Sequence, residues 1–461
     1  MKARIKRVYE ELGAIKFWFY LFLAVNAVVM TLAAIDISLP VFLGQRRFNE
    51  NFLFQSLHLA ADPYDTFMDF FNSIQYGRSP YVNKVIYPPL INVIYGIFGR
   101  LIPKSIMNAG TVAVRASIPG VLAFGVFCAL TAIVSAVAIA GIKGYTKKEK
   151  WFLGLGLCFT LPAVFCLERG NSVWLCVAFT MIFVNWYDSP KKLERAAAIL
   201  SLAIAAAIKI YPAAFGLLLI RHKKWKEARK AIIAGVLVMF VPFVFFTKEN
   251  RSVTLWISNI INCNKEFQNN GLGFKLNLSN AMQIVEAWSG VDLSVLIQVL
   301  VGVVLLLNCM LVVFDRKMEE WKAMTLLSLL MILIPGFSWT YTLLFMVVPL
   351  VLFLNNKSNA KSSWGYLVLF VLLFAVIPIE NQFALFERIN EGYKYQVGIS
   401  EAIQIMALIS IEVSIVGETL LLKFVRTKND YRKKKNIYCG YHSNSDNSFV
   451  FVYIFQYIPS K

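Results

Sequence analysis

Charge is scarce in this chain. Only 16% of its 461 residues are Asp, Glu, Lys or Arg, where a soluble domain carries about 25%. That deficit excludes an ordinary water-facing surface around the whole molecule. Histidine is scarcer still, with His58, His222 and His442 scattered along the sequence, which argues against a histidine metal site. Of the seven cysteines (Cys128, Cys158, Cys166, Cys176, Cys263, Cys309 and Cys439), none forms a CxxC pair and most lie in apolar segments. They read as small buried hydrophobes, not as a metal centre or a disulfide framework. The glycine fingerprint of a nucleotide-binding βαβ unit is missing, as is a DxD element. Neither a metal nor another cofactor is expected. No internal repeat is visible.

What is present in abundance is apolar residues, 58% of the chain. They recur in long runs, among them Phe17 to Ile35, Ile118 to Ile142, Ala231 to Phe246, Leu293 to Phe314, Gly365 to Ile379 and Ala402 to Leu422. A membrane-spanning helix needs about 20 mostly apolar residues. Backbone groups find no water in lipid, so such segments must be helical. The expected fold is an all-α, polytopic transmembrane helical bundle in a lipid bilayer.

The net charge of +19 does not indicate a nucleic-acid partner. Its basic residues form short clusters between apolar runs, the distribution of the positive-inside rule, not one basic face. By that rule residues 1–16 form a cytoplasmic N-terminus followed by a retained first helix, and 17–423 form the transmembrane domain. Residues 424–461 form a basic cytoplasmic tail whose last part, 436–461, has no assignable role. Further cytoplasmic loops are Lys143 to Lys150, Lys191 to Arg195, Arg221 to Lys230, Asp315 to Lys322 and Asn355 to Lys361. The outer loops are then 44–111, 168–171, 248–291 and 381–398.

Arg195 and Arg221 thus lie on one side with only 25 residues between them, too few for two full crossings. The sequence predicts a re-entrant pair of half-helices turning at Lys209-Ile210-Tyr211-Pro212. A second dip is predicted between Lys322 and Asn355, turning at Pro335 to Tyr341. Irregular backbone at membrane depth survives only where it is buried or lines a cavity, so both turns point to a polar cavity; a pair of proline-kinked spans is the alternative. The short apolar stretch Leu90 to Ile102 is expected as an outer interfacial helix.

Several residues in these segments can carry chemistry. Asp65 and Asp69 are four apart, a spacing that shares a helix face. A carboxylate there can act as a general base toward a hydroxyl, or simply favour a helix N-terminus. Lys209, in an otherwise apolar segment, is a functional candidate because an intramembrane ammonium is expensive; snorkelling to the interface is the other reading. Arg169 and Arg78 are candidate phosphate-binding groups. Trp339 and Tyr341 can contact a sugar or acceptor, or anchor the chain at the interface.

The segments DxxxDFFNS, GRSPY and YPPL, then LERGN, KIYPAAFGLLLIRHKKW and PGFSWTYTLLFMVVP, resemble glycosyltransferase family 87. These are polyprenyl-phosphate-mannose-dependent mannosyltransferases of the GT-C superfamily. The pieces occur in the family's order over residues 60 to 350. The resemblance implies an outward-facing active site, a polyprenyl-phosphate sugar donor, a glycan or glycolipid acceptor and inversion at the anomeric carbon. It implies a catalytic Asp in the first outer loop, with the family's spacing favouring Asp65 and Asp69 second. It brings Tyr81 and Tyr87, in the GRSPY and YPPL elements, in as sugar or acceptor contacts. Where the family often has S-W-x-H, this chain has Ser338-Trp339-Thr340-Tyr341, so Tyr341 stands at the histidine position. A bacterial plasma membrane is the expected location. The alternatives are a transporter or flippase of a polyprenyl-linked lipid, and a surface-polysaccharide ligase or polymerase.

Overall fold

The computed structural model of the protein describes residues 12–42, 66–77, 79–269, 275–356, 361–376, 386–390 and 393–443. Residues 1–412 form one compact unit and 413–461 a second. The chain begins with α1 (Ala14–Phe42), α2 (Met68–Tyr76) and α3 (Pro89–Arg100). Two short helices lead to α4 (Ile118–Gly141), α5 (Lys147–Cys158), α6 (Leu161–Arg169), α7 (Val173–Trp186) and α8 (Lys192–Ile208). A 3₁₀ segment, Tyr211–Gly216, precedes α9 (Leu217–Arg221). Then come α10 (Trp225–Phe240), α11 (Val253–Asn269), α12 (Leu278–Ser289), α13 (Ser294–Phe314) and α14 (Glu320–Leu333). A second 3₁₀ segment, Thr340–Met346, precedes α15 (Val347–Leu354), and α16 (Lys361–Phe374) follows. The last helix, α17 (Ile399–Ser443), runs through residue 423, where the sequence set the end of the transmembrane domain. Among the described residues the chain is all-α apart from one antiparallel hairpin, Phe386–Asn390 with Tyr393–Val397, in the segment expected as the last outer loop.

Among the described residues, five helices are long and apolar enough to cross a membrane: 14–32, 118–141, 225–245, 294–314 and 399–424. Only 17%, 11% and 17% of the 118–141, 225–245 and 294–314 windows is buried inside the protein. Apolar surface on that scale suits lipid and not water, and the protein is a multi-pass membrane protein. In contrast, α7, α8 and α14 are largely buried and form the centre.

Both predicted dips have the helix–turn–return form. After α8 the chain turns at Lys209, whose backbone is extended, and comes back through the 3₁₀ segment and α9. The return is fixed by contacts with the residues just before α8. Lys224 pairs with Asp188, and the His222 Nε2 lies 3.2 Å from the Tyr187 hydroxyl. The second dip closes the same way, with Asn356 donating to the Glu319 carboxylate at 2.7 Å. Lys16 reaches both Glu149 and Asn355 at 3.3 Å, and Tyr187 donates to Glu320 at 2.8 Å. These contacts gather at one end of the bundle the loops that charge assigned to one side. The two turns face the other way.

One bend was not legible in the charge pattern. Helices α5 and α6 meet at an angle of 61° across a short break. Pro162 sits in the first turn of α6, where it has no N–H to continue the preceding helix. The Ala163 N–H turns to the Thr160 carbonyl at 3.1 Å, and the Phe159 carbonyl accepts instead from the Asn26 amide at 2.6 Å. Helix α6 therefore ends at a different angle from α5 and delivers Arg169 and the residues after it to the site.

Candidate active site

Asp69 stands in the first turn of α2, which starts after Phe67 in a left-handed conformation. The helix begins at Met68. Asp65 and Arg78 lie outside the described residues. The Phe67 N–H donates to the Glu168 carbonyl at 2.6 Å, which ties the start of α2 to the end of α6.

That junction positions the carboxylate. Gly170 ends α6 with φ +63°, and a Cβ there would meet the Phe70 Cβ at 2.9 Å and the Phe124 ring at 3.2 Å. Only glycine allows both the left-handed turn and the close approach. The turn directs two side chains at Asp69. Arg169 Nη2 lies 2.9 Å from Oδ1, and the Asn171 amide donates to Oδ2 at 2.7 Å. Asn171 Oδ1 in turn accepts from the Val173 N–H at 3.0 Å, which locks its rotamer against the start of α7.

The remaining groups extend from this pair. The Asn171 amide also reaches the Tyr87 hydroxyl at 3.4 Å. Lys209, at the tip of the first dip and 8% exposed, holds its ammonium 4.1 Å from the centroid of the Tyr87 ring. A cation over an aromatic face is stabilised by the ring quadrupole, more so when water is excluded. A cavity beside Lys209 is walled by Tyr87, Tyr211, Ile260, Pro335 and Phe337. On the other side, the Arg169 guanidinium lies 5.8 Å from the Trp339 ring. Phe165 stacks on both Trp339 and Tyr341, with ring planes within 16° and 20°.

Asp69, Arg169, Lys209, Tyr87, Trp339 and Tyr341 therefore come together from five separate segments. Tyr81 does not join them. Its ring packs with Phe243, Phe246 and Trp256, and its backbone N–H donates to Asn250 at 2.8 Å. Its hydroxyl donates to the Tyr87 carbonyl at 3.3 Å, so it supports Tyr87 from behind. The sequence reading left Asn171 out of the site, although it closes the ERGN turn that carries Arg169. Among the described residues, no three His, Cys, Asp or Glu side chains gather as a metal site would require.

Chemically, the cluster combines one fixed carboxylate with an arginine and a buried lysine, ringed by aromatics. Such a site suits an anionic group next to a polyhydroxyl ring. The sequence model of glycosyltransferase family 87 matches residues 86–335, more than half of the chain and including Tyr87, Arg169, Asn171 and Lys209. No curated protein and no solved structure matches the chain.

Proposed function

The chain belongs to glycosyltransferase family 87 and is a membrane enzyme that transfers a sugar, and from that premise we propose that it moves a hexose, mannose first, from a polyprenyl-phosphate donor to an acceptor hydroxyl at the outer face of a bacterial plasma membrane. The observation that carries this reading is Lys209: a buried ammonium at the tip of a re-entrant turn, on the same cluster as Asp69. A lipid-borne phosphate reaches such a depth without leaving the bilayer, and it supplies the counter-charge that a buried lysine requires.

Asp69 is the proposed general base. It takes the proton of the acceptor hydroxyl while that oxygen attacks the anomeric carbon. The bond from that carbon to the phosphate oxygen breaks, and its electron pair leaves with the lipid phosphate. Lys209 and Arg169 stabilise the charge that develops there, a preorganised contribution worth about 3–4 kcal/mol per well-placed donor. Arg169 has a second task, holding Asp69 together with Asn171. Attack opposite the leaving group inverts the anomeric centre. Trp339 and Tyr341 form the wall against which the sugar packs. Asp65 and Arg78 remain candidates for the same acid–base and phosphate roles.

The test uses purified full-length protein in detergent, membrane lipid extract as acceptor, and two labelled donors. Label should pass to the extract from a synthetic polyprenyl-phosphate mannose and not from a nucleotide sugar, with the opposite anomeric configuration in the product. Transfer from the nucleotide sugar, or retention of configuration, overturns the reading.

A further inference from the structure

Lys275 is another lysine that folding hides. It is 3% exposed. The segment that carries it, 275–280, is strapped onto the second turn. Lys275 and Trp339 form an antiparallel bridge. The Leu276 N–H donates to the Ser338 carbonyl at 2.7 Å, and the Asn277 amide donates to the Gly336 carbonyl at 3.0 Å. Asn280 folds back on the strap, its amide donating to the Lys275 carbonyl at 2.8 Å and its N–H to Asn277 Oδ1 at 2.7 Å. This is far more fixation than a solvated loop needs.

The strap also decides where the lysine starts. Directly opposed residues of an antiparallel pair leave on the same face, with Cβ atoms about 5 Å apart. Lys275 thus departs beside Trp339, whose ring meets Arg169. Burial pulls the Lys275 ammonium down to about 8, and the Cys263 thiol of α11 acts on it electrostatically in the opposite direction. Ile260, one turn before Cys263, walls the cavity beside Lys209 together with Pro335 and Phe337 of the second turn. Lys275 is therefore tied to two of the elements that enclose this cavity, while Lys209 enters it from the first turn.

We infer that Lys275 is a second lysine of the donor site, held by the docked strap so that it binds the phosphate of the lipid-linked donor together with Lys209. The chemistry gives it a purpose. A phosphodiester with one negative charge becomes a monoester with two as the sugar leaves, so a second cation meets the added charge. The inference rests on the donor reading above.

Farnesyl phosphate is the probe, bound to the full-length protein in detergent and followed by tryptophan fluorescence, with farnesol as the uncharged control. Wild type should bind the phosphate more tightly than the alcohol. Lys275→Gln should weaken farnesyl phosphate about tenfold, the loss of one charge-assisted contact, and leave farnesol unchanged. Lys275→Arg should stay within about threefold of wild type. Lys275→Met, which keeps the stem and removes the buried charge, serves if the glutamine variant does not fold. Unchanged phosphate affinity in the folded Gln or Met variant, with a wild type that discriminates phosphate from alcohol, overturns the role of Lys275 alone. An arginine variant as weak as the glutamine one does the same. A wild type that does not discriminate overturns the donor reading beneath it.

Discussion

Arg169 grips Asp69 across 100 residues of sequence, with Nη2 2.9 Å from Oδ1. The contact joins the end of α6 to the first turn of α2, within the segment expected as the first outer loop. Neither side chain is fully sealed, both being 18% exposed, so a substrate can approach a carboxylate whose direction is already set. Asn171 occupies the second oxygen, and the two donors leave the carboxylate little freedom to rotate.

Arg169→Ala should lower transfer about a hundredfold, because it removes both the grip on Asp69 and one cation for the leaving phosphate. The stability loss should be only about 1–2 kcal/mol, as for a hydrogen-bonded pair that still meets solvent. Arg169→Lys keeps the charge without the planar fork and should recover only part of the activity. Initial rates and thermal melting of the purified variants check this. Wild-type rates in a folded Ala variant would remove Arg169 from the mechanism.

Lys209→Met should separate function from stability. The donor loses its proposed phosphate partner, so the KM for a polyprenyl-phosphate sugar should rise at least tenfold. The melting temperature should hold or rise, because an apolar side chain replaces a buried charge of similar length. A variant that melts much lower and retains the donor KM would make Lys209 a structural residue.

The architecture was largely legible in the sequence, because apolar run length and basic clusters are one-dimensional signals of a bilayer. Both re-entrant turns followed from counting: Arg195 and Arg221 are too close for two crossings, and the Lys224–Asp188 pair shows the chain returning. The bend at Phe159–Thr160 was not legible, because it depends on Asn26 of α1 donating to the Phe159 carbonyl. The site was legible as a list of charged residues in apolar surroundings. Its assembly was not. Asn171 looks like any turn residue until Gly170 aims it at Asp69, and Lys275 looks like a loop lysine until the strap docks. Tyr81 enters from the resemblance as a sugar or acceptor contact, yet Asn250 and the Phe243–Trp256 cluster hold it away from the site.

Stability should reside at the opposite end of the molecule. Arg221 is 2% exposed and donates to the carbonyls of Val312, Asp315 and Met318 at 2.8, 2.7 and 2.6 Å. It thereby clamps the return of the first dip onto the end of α13. Arg221→Met strands three buried acceptors and should cost about 3–5 kcal/mol, seen as a marked fall in melting temperature. The folded fraction should keep the wild-type donor KM. An unchanged melting temperature would refute the clamp.

The account stands most directly on Asp69 as the group that accepts the acceptor's proton. The decisive measurement is the rate of label transfer from a synthetic polyprenyl-phosphate mannose by Asp69→Asn, which keeps the side chain's shape and removes its basicity. The rate should fall by a factor of about 100 to 10,000, the range for loss of a general base, while donor affinity stays near wild type. Transfer at the wild-type rate by this variant contradicts the central claim.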